Sequence, residues 1–214
     1  MPGTDERIEQ ARNLYERAVF GGDAGALADA DLGLDAVEAD LALARGRVIH
    51  ARFLEQGDED PRELELFERA VQLYRTLGDV RGEGESRFWV GTFHQVVRGD
   101  DDAAVPSLEQ SYALATQAGD KLTMSYALRH LGIAEHRAGR LDTARERLEA
   151  SVRLRREIGF LPGVAANLVG LAYIAAGQDR HGEALALVEE AAAIAEASGA
   201  QGIMRSIDEA RTQL

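Results

Sequence analysis

Apolar and small side chains recur along this chain in a fixed register. Glu63, Phe67, Ala70 and Leu73 are followed by Ala104, Leu108, Ser111 and Leu114, then by Ala144, Leu148, Ser151 and Leu154, then by Ala184, Val188, Ala191 and Ile194. Within each set the steps are four, three and three, which place side chains on one face of an α-helix, whereas a strand would alternate every two. Eight residues after each small residue stands a glycine, at 78, 119, 159 and 199. Glycine adopts the left-handed conformation that ends a helix at low cost. A second helix precedes each of the later three, marked by Val90-Gly91, Leu131-Gly132 and Val169-Gly170 and closing near Gly99, Gly139 and Gly177. The unit is therefore a helical hairpin repeating about every 40 residues. Its interior glycines, each costing about 1 kcal/mol against alanine, make sense where the two helices cross closely.

The pattern predicts helices near 5–20, 24–32, 35–56, 62–77, 82–98, 102–118, 122–138, 141–158, 162–176, 181–198 and 201–213. Asp102 and Asp142 are read as helix starts, where a carboxylate accepts orphan N–H groups. Ile203, Met204, Ile207 and Ala210 share one side of the final helix, which reads as a cap over the open end of a stack. The expected organisation is a helical extension over 1–34, hairpins over 35–79, 80–120, 121–160 and 161–200, and a capping helix over 201–214, all in one cooperative unit. The fold class is all-α.

Leu131-Gly132-Ile133-Ala134 with Gly139, Ala144, Leu148 and Ser151, echoed by Val169-Gly170-Leu171-Ala172-Tyr173 with Gly177, Ala184, Val188 and Ala191, resembles the tetratricopeptide repeat. The spacing is similar to that of the 40-residue repeats of kinesin light chains and bacterial regulators. The first unit departs from the motif, with Glu63 where alanine is usual and no Leu-Gly pair. The resemblance implies a right-handed superhelical solenoid of antiparallel hairpins, in which the first helix of each hairpin lines a concave face. It also implies a protein-binding or peptide-binding scaffold with no enzymatic activity.

Composition narrows the chemistry. With 24 Lys and Arg against 37 Asp and Glu the net charge is −13, which disfavours nucleic acid as a partner. The absence of cysteine excludes disulfides, thiol nucleophiles and cysteine-based metal centres. No apolar run reaches the ~20 residues of a membrane span, and the polar start, Met-Pro-Gly-Thr-Asp-Glu-Arg, is not expected to be a signal peptide. A cytoplasmic protein with no membrane partner is the expectation. The five histidines include no i, i+4 pair with an intervening glutamate, Asp100-Asp101-Asp102 lacks the pattern of a calcium loop, and Gly82-Glu83-Gly84 lacks that of a phosphate loop. No cofactor and no metal are expected.

The candidate site is the face of the first helices: Arg47; then Phe88, Thr92 and Gln95; then Tyr126, Arg129, Ile133, His136 and Arg137; then Asn167, Leu171 and Ile174. Aromatic, apolar and cationic groups together suit a partner that offers an anionic group beside an apolar one. Trp89 is read as core. Residues 121–160 hold 9 bases and 5 acids, against 6 bases and 14 acids over 1–60. Arg145, Arg147, Arg153, Arg155 and Arg156 are read as a solvated outer face, which leaves Arg129, His136 and Arg137 as the positive spot inside the groove. Two other readings compete with the scaffold. One is a small-molecule sensor or scaffold-type enzyme around Arg129 and His136, with His94 and Glu135 as further acid–base candidates. The other is a self-assembly module in which the acidic end of one copy meets the basic repeat of another, giving a homo-oligomer.

Overall fold

The computed structural model describes residues 5–214; the Met1 to Thr4 part of the polar start lies outside the described residues. Of the described residues 86% are helical, and no strand occurs among them. The helices are α1 (Glu6–Gly21), α2 (Ala26–Gln56), α3 (Arg62–Leu77), α4 (Val80–Thr92), α5 (Asp101–Ala118), α6 (Lys121–Arg137), α7 (Leu141–Glu157), α8 (Leu161–Gly177), α9 (His181–Ser198) and α10 (Gln201–Gln213). A π-helical turn, Phe93–Val97, extends α4. Each helix packs on the next in sequence, and the closest partnerships are α2 with α3, α4 with α5, α6 with α7 and α8 with α9. Additional contacts join α4 to α6 and α6 to α8, so the first helices of successive hairpins lie side by side. This is the helical solenoid that the repeat implies.

The repeating register is the core. Ala70, Ser111, Ser151 and Ala191 are fully buried, as are Phe67, Leu108, Leu148 and Val188 to within 2%. A Cβ on Gly132 would come 2.1 Å from Leu148 Cδ1 and 3.3 Å from the Ala144 carbonyl oxygen, so a larger residue at this crossing would force the buried Leu148 side chain to shift. Gly78, Gly119 and Gly199 cap α3, α5 and α9 in the left-handed conformation.

Two local expectations are corrected. The segments expected at 24–32 and 35–56 form one 31-residue helix, α2, so the boundary at residue 34 falls inside it. Gly33 interrupts nothing, because no neighbouring group approaches its Cβ position and α1 and α3 both brace the helix. Asp100, rather than Asp102, caps α5 by accepting from the Ala103 N–H at 2.9 Å. Asp142 lies in the first turn of α7, after Arg140 at the cap position. There its carboxylate favours the helix N-terminus electrostatically without a capping hydrogen bond.

Candidate functional site

The first helices bring an aromatic row onto one side of the molecule. Phe67 stacks on Trp89 at 5.5 Å between ring centres, Trp89 meets Phe88 edge-on at 5.2 Å, Phe88 stacks on Tyr126 at 5.2 Å, and Tyr126 meets Phe160 edge-on at 5.9 Å. Such pairs contribute about 1 kcal/mol each beyond the area they bury. The row runs from α3 through α4 and α6 to the turn before α8, tying three hairpins together. Above it opens a cavity of about 470 Å³, within the range of small-ligand sites. Phe88, Trp89, Tyr126 and Phe160 form its aromatic wall, and Thr92, Val96 and Ile133 extend it. Leu54 near the end of α2 and Ile203 at the start of α10 also line it, so both ends of the solenoid reach one space.

The base of the cavity is cationic. Arg129, from α6, donates through Nη1 to the Ala166 carbonyl at 2.8 Å and to Asn167 Oδ1 at 2.9 Å. Arg155, from α7, donates through Nη1 to the Gly163 carbonyl at 2.7 Å and to the same Asn167 oxygen at 3.0 Å. Its Nε reaches Ser125 Oγ at 3.3 Å. Asn167 is fully buried on α8 and completes the hub by donating from Nδ2 to Ser151 Oγ at 2.7 Å; Ser151 in turn donates to the Ser125 carbonyl. The Arg155 guanidinium sits 5.1 Å from the Tyr126 ring centre and 5.5 Å from that of Phe160, a cation–π arrangement on both faces of the wall. All the arginine partners are neutral, and no aspartate or glutamate lines the cavity.

Burial lowers both guanidinium pKa values, that of Arg155 to about 9 with the charge of Arg129 adding to the effect. His130, beside them, is pushed down to about 3, by burial first and then by the charges of Arg129 and Arg155. It is held neutral as a donor from Nδ1 to Gln95 Oε1 at 2.7 Å. Gln95 orients that bond by donating to Asp101 and to the His130 carbonyl.

Of the residues expected on the groove face, Phe88, Thr92, Tyr126, Arg129 and Ile133 line the cavity. Asn167 and Gln95 lie behind them as buried polar supports. Arg47 stands over Trp89 at 5.4 Å and pairs with Glu85 at the edge. Leu171 and Ile174 are not on the face. Both are buried in the core cluster of α7, α8 and α9, and Leu171 faces a groove between α7 and α9 instead of the cavity. His136 and Arg137 lie near the end of α6, outside the cavity, and Arg137 pairs with Asp101 at 3.2 Å. Glu135 pairs with Arg140 and Arg147, so the acid–base set of His94, Glu135 and His136 does not gather at the cavity.

Trp89 belongs to the cavity wall as well as to the core, and Arg155, read as solvated, is only 2% exposed. The repeat register carried the signal for Arg155. It occupies the position four after the small residue, with Tyr74, Ala115 and Ala195, all of which are buried.

These features define a helical-repeat protein with a polar-based, aromatic-walled cavity. Residues 84–157 and 123–197 match the tetratricopeptide repeat family, which together is more than half of the chain, and the protein belongs to that family. A comparison with curated proteins found no match. Tetratricopeptide repeats generally serve as protein-interaction scaffolds, typically without enzymatic activity, and bind protein partners. No helix among the described residues is long and apolar enough to cross a membrane.

Proposed function

We propose that the protein is a cytoplasmic, non-enzymatic scaffold whose concave face binds a segment of a partner protein presenting an anionic group beside an apolar one. One observation carries this reading: an aromatic wall stands over two arginines that no carboxylate neutralises, in a chain with 37 acidic residues to draw on. Repeat solenoids offer extended binding faces, and hot spots on such faces are enriched in aromatic and arginine side chains. The net charge of −13 repels anions at long range, so only a local cationic site selects one.

The test is parallel capture from native lysate on immobilised wild-type protein and on the Phe88→Ala/Tyr126→Ala double variant, with helicity and melting measured for both. A partner retained by the wild type and lost from a folded variant supports the reading. The same proteins on both columns would refute it.

Self-association is the second reading, favoured by the exposed apolar side chains of α1. Tyr15, Val19 and Phe20 are 54%, 53% and 83% exposed within the acidic N-terminal region. Light scattering at low and high salt checks it, and a monomer at both salts contradicts it.

A further inference from the structure

We propose that the base of the cavity is a carboxylate seat for a small apolar acid, an aryl- or alkyl-carboxylic acid held by Arg129 and Arg155. The inference rests on the concave face being the binding face. Arg129 uses only Nη1 in its bonds to Ala166 and Asn167. Its Nε and Nη2, which point the same way as a two-donor fork, have no partner among the described residues, and neither is a fully buried orphan. Arg155 Nη2 is in the same condition.

The chain shows what that fork is suited to hold. On the outer surface the Nε and Nη2 of Arg69 grip the two oxygens of Glu38 at 2.7 and 3.0 Å, and those of Arg211 grip Glu189 at 3.1 Å each. A planar carboxylate matches this edge in two parallel charge-assisted bonds. Every other arginine in the described residues is either exposed or ion-paired within 4.0 Å. Arg129, half-buried, and Arg155, buried, are the two that are shielded from bulk solvent and left without a counter-ion. A buried cation without one is costly, and a bound anion relieves that cost.

The rest of the cavity sets the ligand's body. Phe88, Trp89, Tyr126 and Phe160 offer ring faces to an aryl or alkyl group, and the volume of about 470 Å³ suits a compact molecule. Leu54 and Ile203 close on it from opposite ends of the chain, which favours a small acid over a long threaded segment. Such an acid competes with a partner's anionic group for one seat, so the scaffold is acid-responsive.

Trp89 is the sole tryptophan and lines the cavity, so its fluorescence reports occupancy directly. The experiment titrates the full chain with 3-phenylpropanoate, 3-phenylpropanamide, inorganic phosphate and the peptide Gly-Gly-Phe. The expected result is a saturable change with 3-phenylpropanoate, with the amide and phosphate each weaker by about tenfold or more. Arg129→Gln should weaken the acid by a similar factor. Arg129→Lys, which keeps the charge but loses the fork, should lie between them and serves if the glutamine variant melts early. No saturable response to the acid, an equal response to amide or phosphate, or unchanged affinity in both folded variants would overturn the seat. Tighter binding of Gly-Gly-Phe would reassign it to a chain end and overturn the small-acid assignment. If the acid fails while capture still depends on Phe88 and Tyr126, the seat alone falls. If the acid binds while capture ignores those residues, the partner reading alone falls.

Discussion

The first and third hairpins both cross at a glycine, but only the first adds a buried polar bridge beside it. In α6 and α7, Gly132 faces Leu148 and the Ala144 carbonyl, so the two helices meet through the absence of side chains. In α2 and α3 a glycine also faces the core side chain, Gly46 against the ring of Phe67, and one turn further along α2 His50 lies opposite Glu63. Both are buried, and they are joined by a hydrogen bond of 2.8 Å from Nδ1 to Oε1. To the close glycine contact the first hairpin adds a polar bridge whose second carboxylate oxygen, Oε2, has no partner. His50 also lines the cavity and meets Trp89 edge-on at 5.4 Å, so the bridge reaches the wall of the candidate site. The comparison teaches that a hairpin of this repeat can hold a buried polar pair beside its glycine crossing, and that the sequence motif is lost where this happens. The family match accordingly begins at residue 84, after the first hairpin.

The largest effect should come from forcing one solution onto the other hairpin. Ala144→Glu places an unpaired carboxylate at a fully buried position and should destabilise by about 4 kcal/mol in denaturant unfolding. Adding Gly132→His to that variant should deepen the loss, because its Cβ meets Leu148 Cδ1 and the Ala144 carbonyl oxygen, and a recovery would show that this crossing has room for a polar bridge. Next in size, Glu63→Ala leaves His50 buried without its acceptor and should cost about 3 kcal/mol. The pair His50→Gly/Glu63→Ala should cost less than the sum of the single changes. Strict additivity would mean that the bridge is not a unit.

A different kind of effect separates the two regions by pH. His130 binds its proton only near pH 3 in the folded protein, whereas an unfolded histidine binds near 6.5. The unfolded chain therefore takes up the extra proton, and this contribution to stability, full above pH 6.5, is lost as pH falls toward 3, at up to about 1.4 kcal/mol per pH unit. His130→Asn should flatten that slope in acid unfolding. An unchanged slope would remove His130 from the buried cationic cluster. The smallest effect belongs to the outer surface, where Arg211→Ala breaks an exposed pair with Glu189 and should cost less than about 1 kcal/mol.

Sequence legibility follows the same physics. The hairpins from 80 to 200 could be read because crossings made of glycine and alanine leave a periodic mark. The first hairpin was obscured by His50 and Glu63, which look like surface residues when taken singly. In the site, Phe88, Tyr126 and Arg129 followed from helical spacing, whereas Leu171 and Ile174 were misplaced because α8 is apolar on most of its faces, so spacing alone does not tell the side buried in the core from the side that faces the cavity. Arg155 was misread because charge was given more weight than register, although its position is buried in all four hairpins.

The central claim is that the positive charge at the base of the cavity, and not the arginines of the outer helices, selects the partner. The most direct measurement is the salt dependence of affinity for the captured partner, compared among wild type, Arg129→Gln and Arg156→Gln, where Arg156 is an exposed arginine paired with Glu190. Wild type and Arg156→Gln should bind more weakly as salt rises and then level off at the salt-insensitive contribution of the aromatic wall, while Arg129→Gln should bind weakly with a flattened slope. A slope unchanged by Arg129→Gln, or flattened by Arg156→Gln instead, would contradict the account.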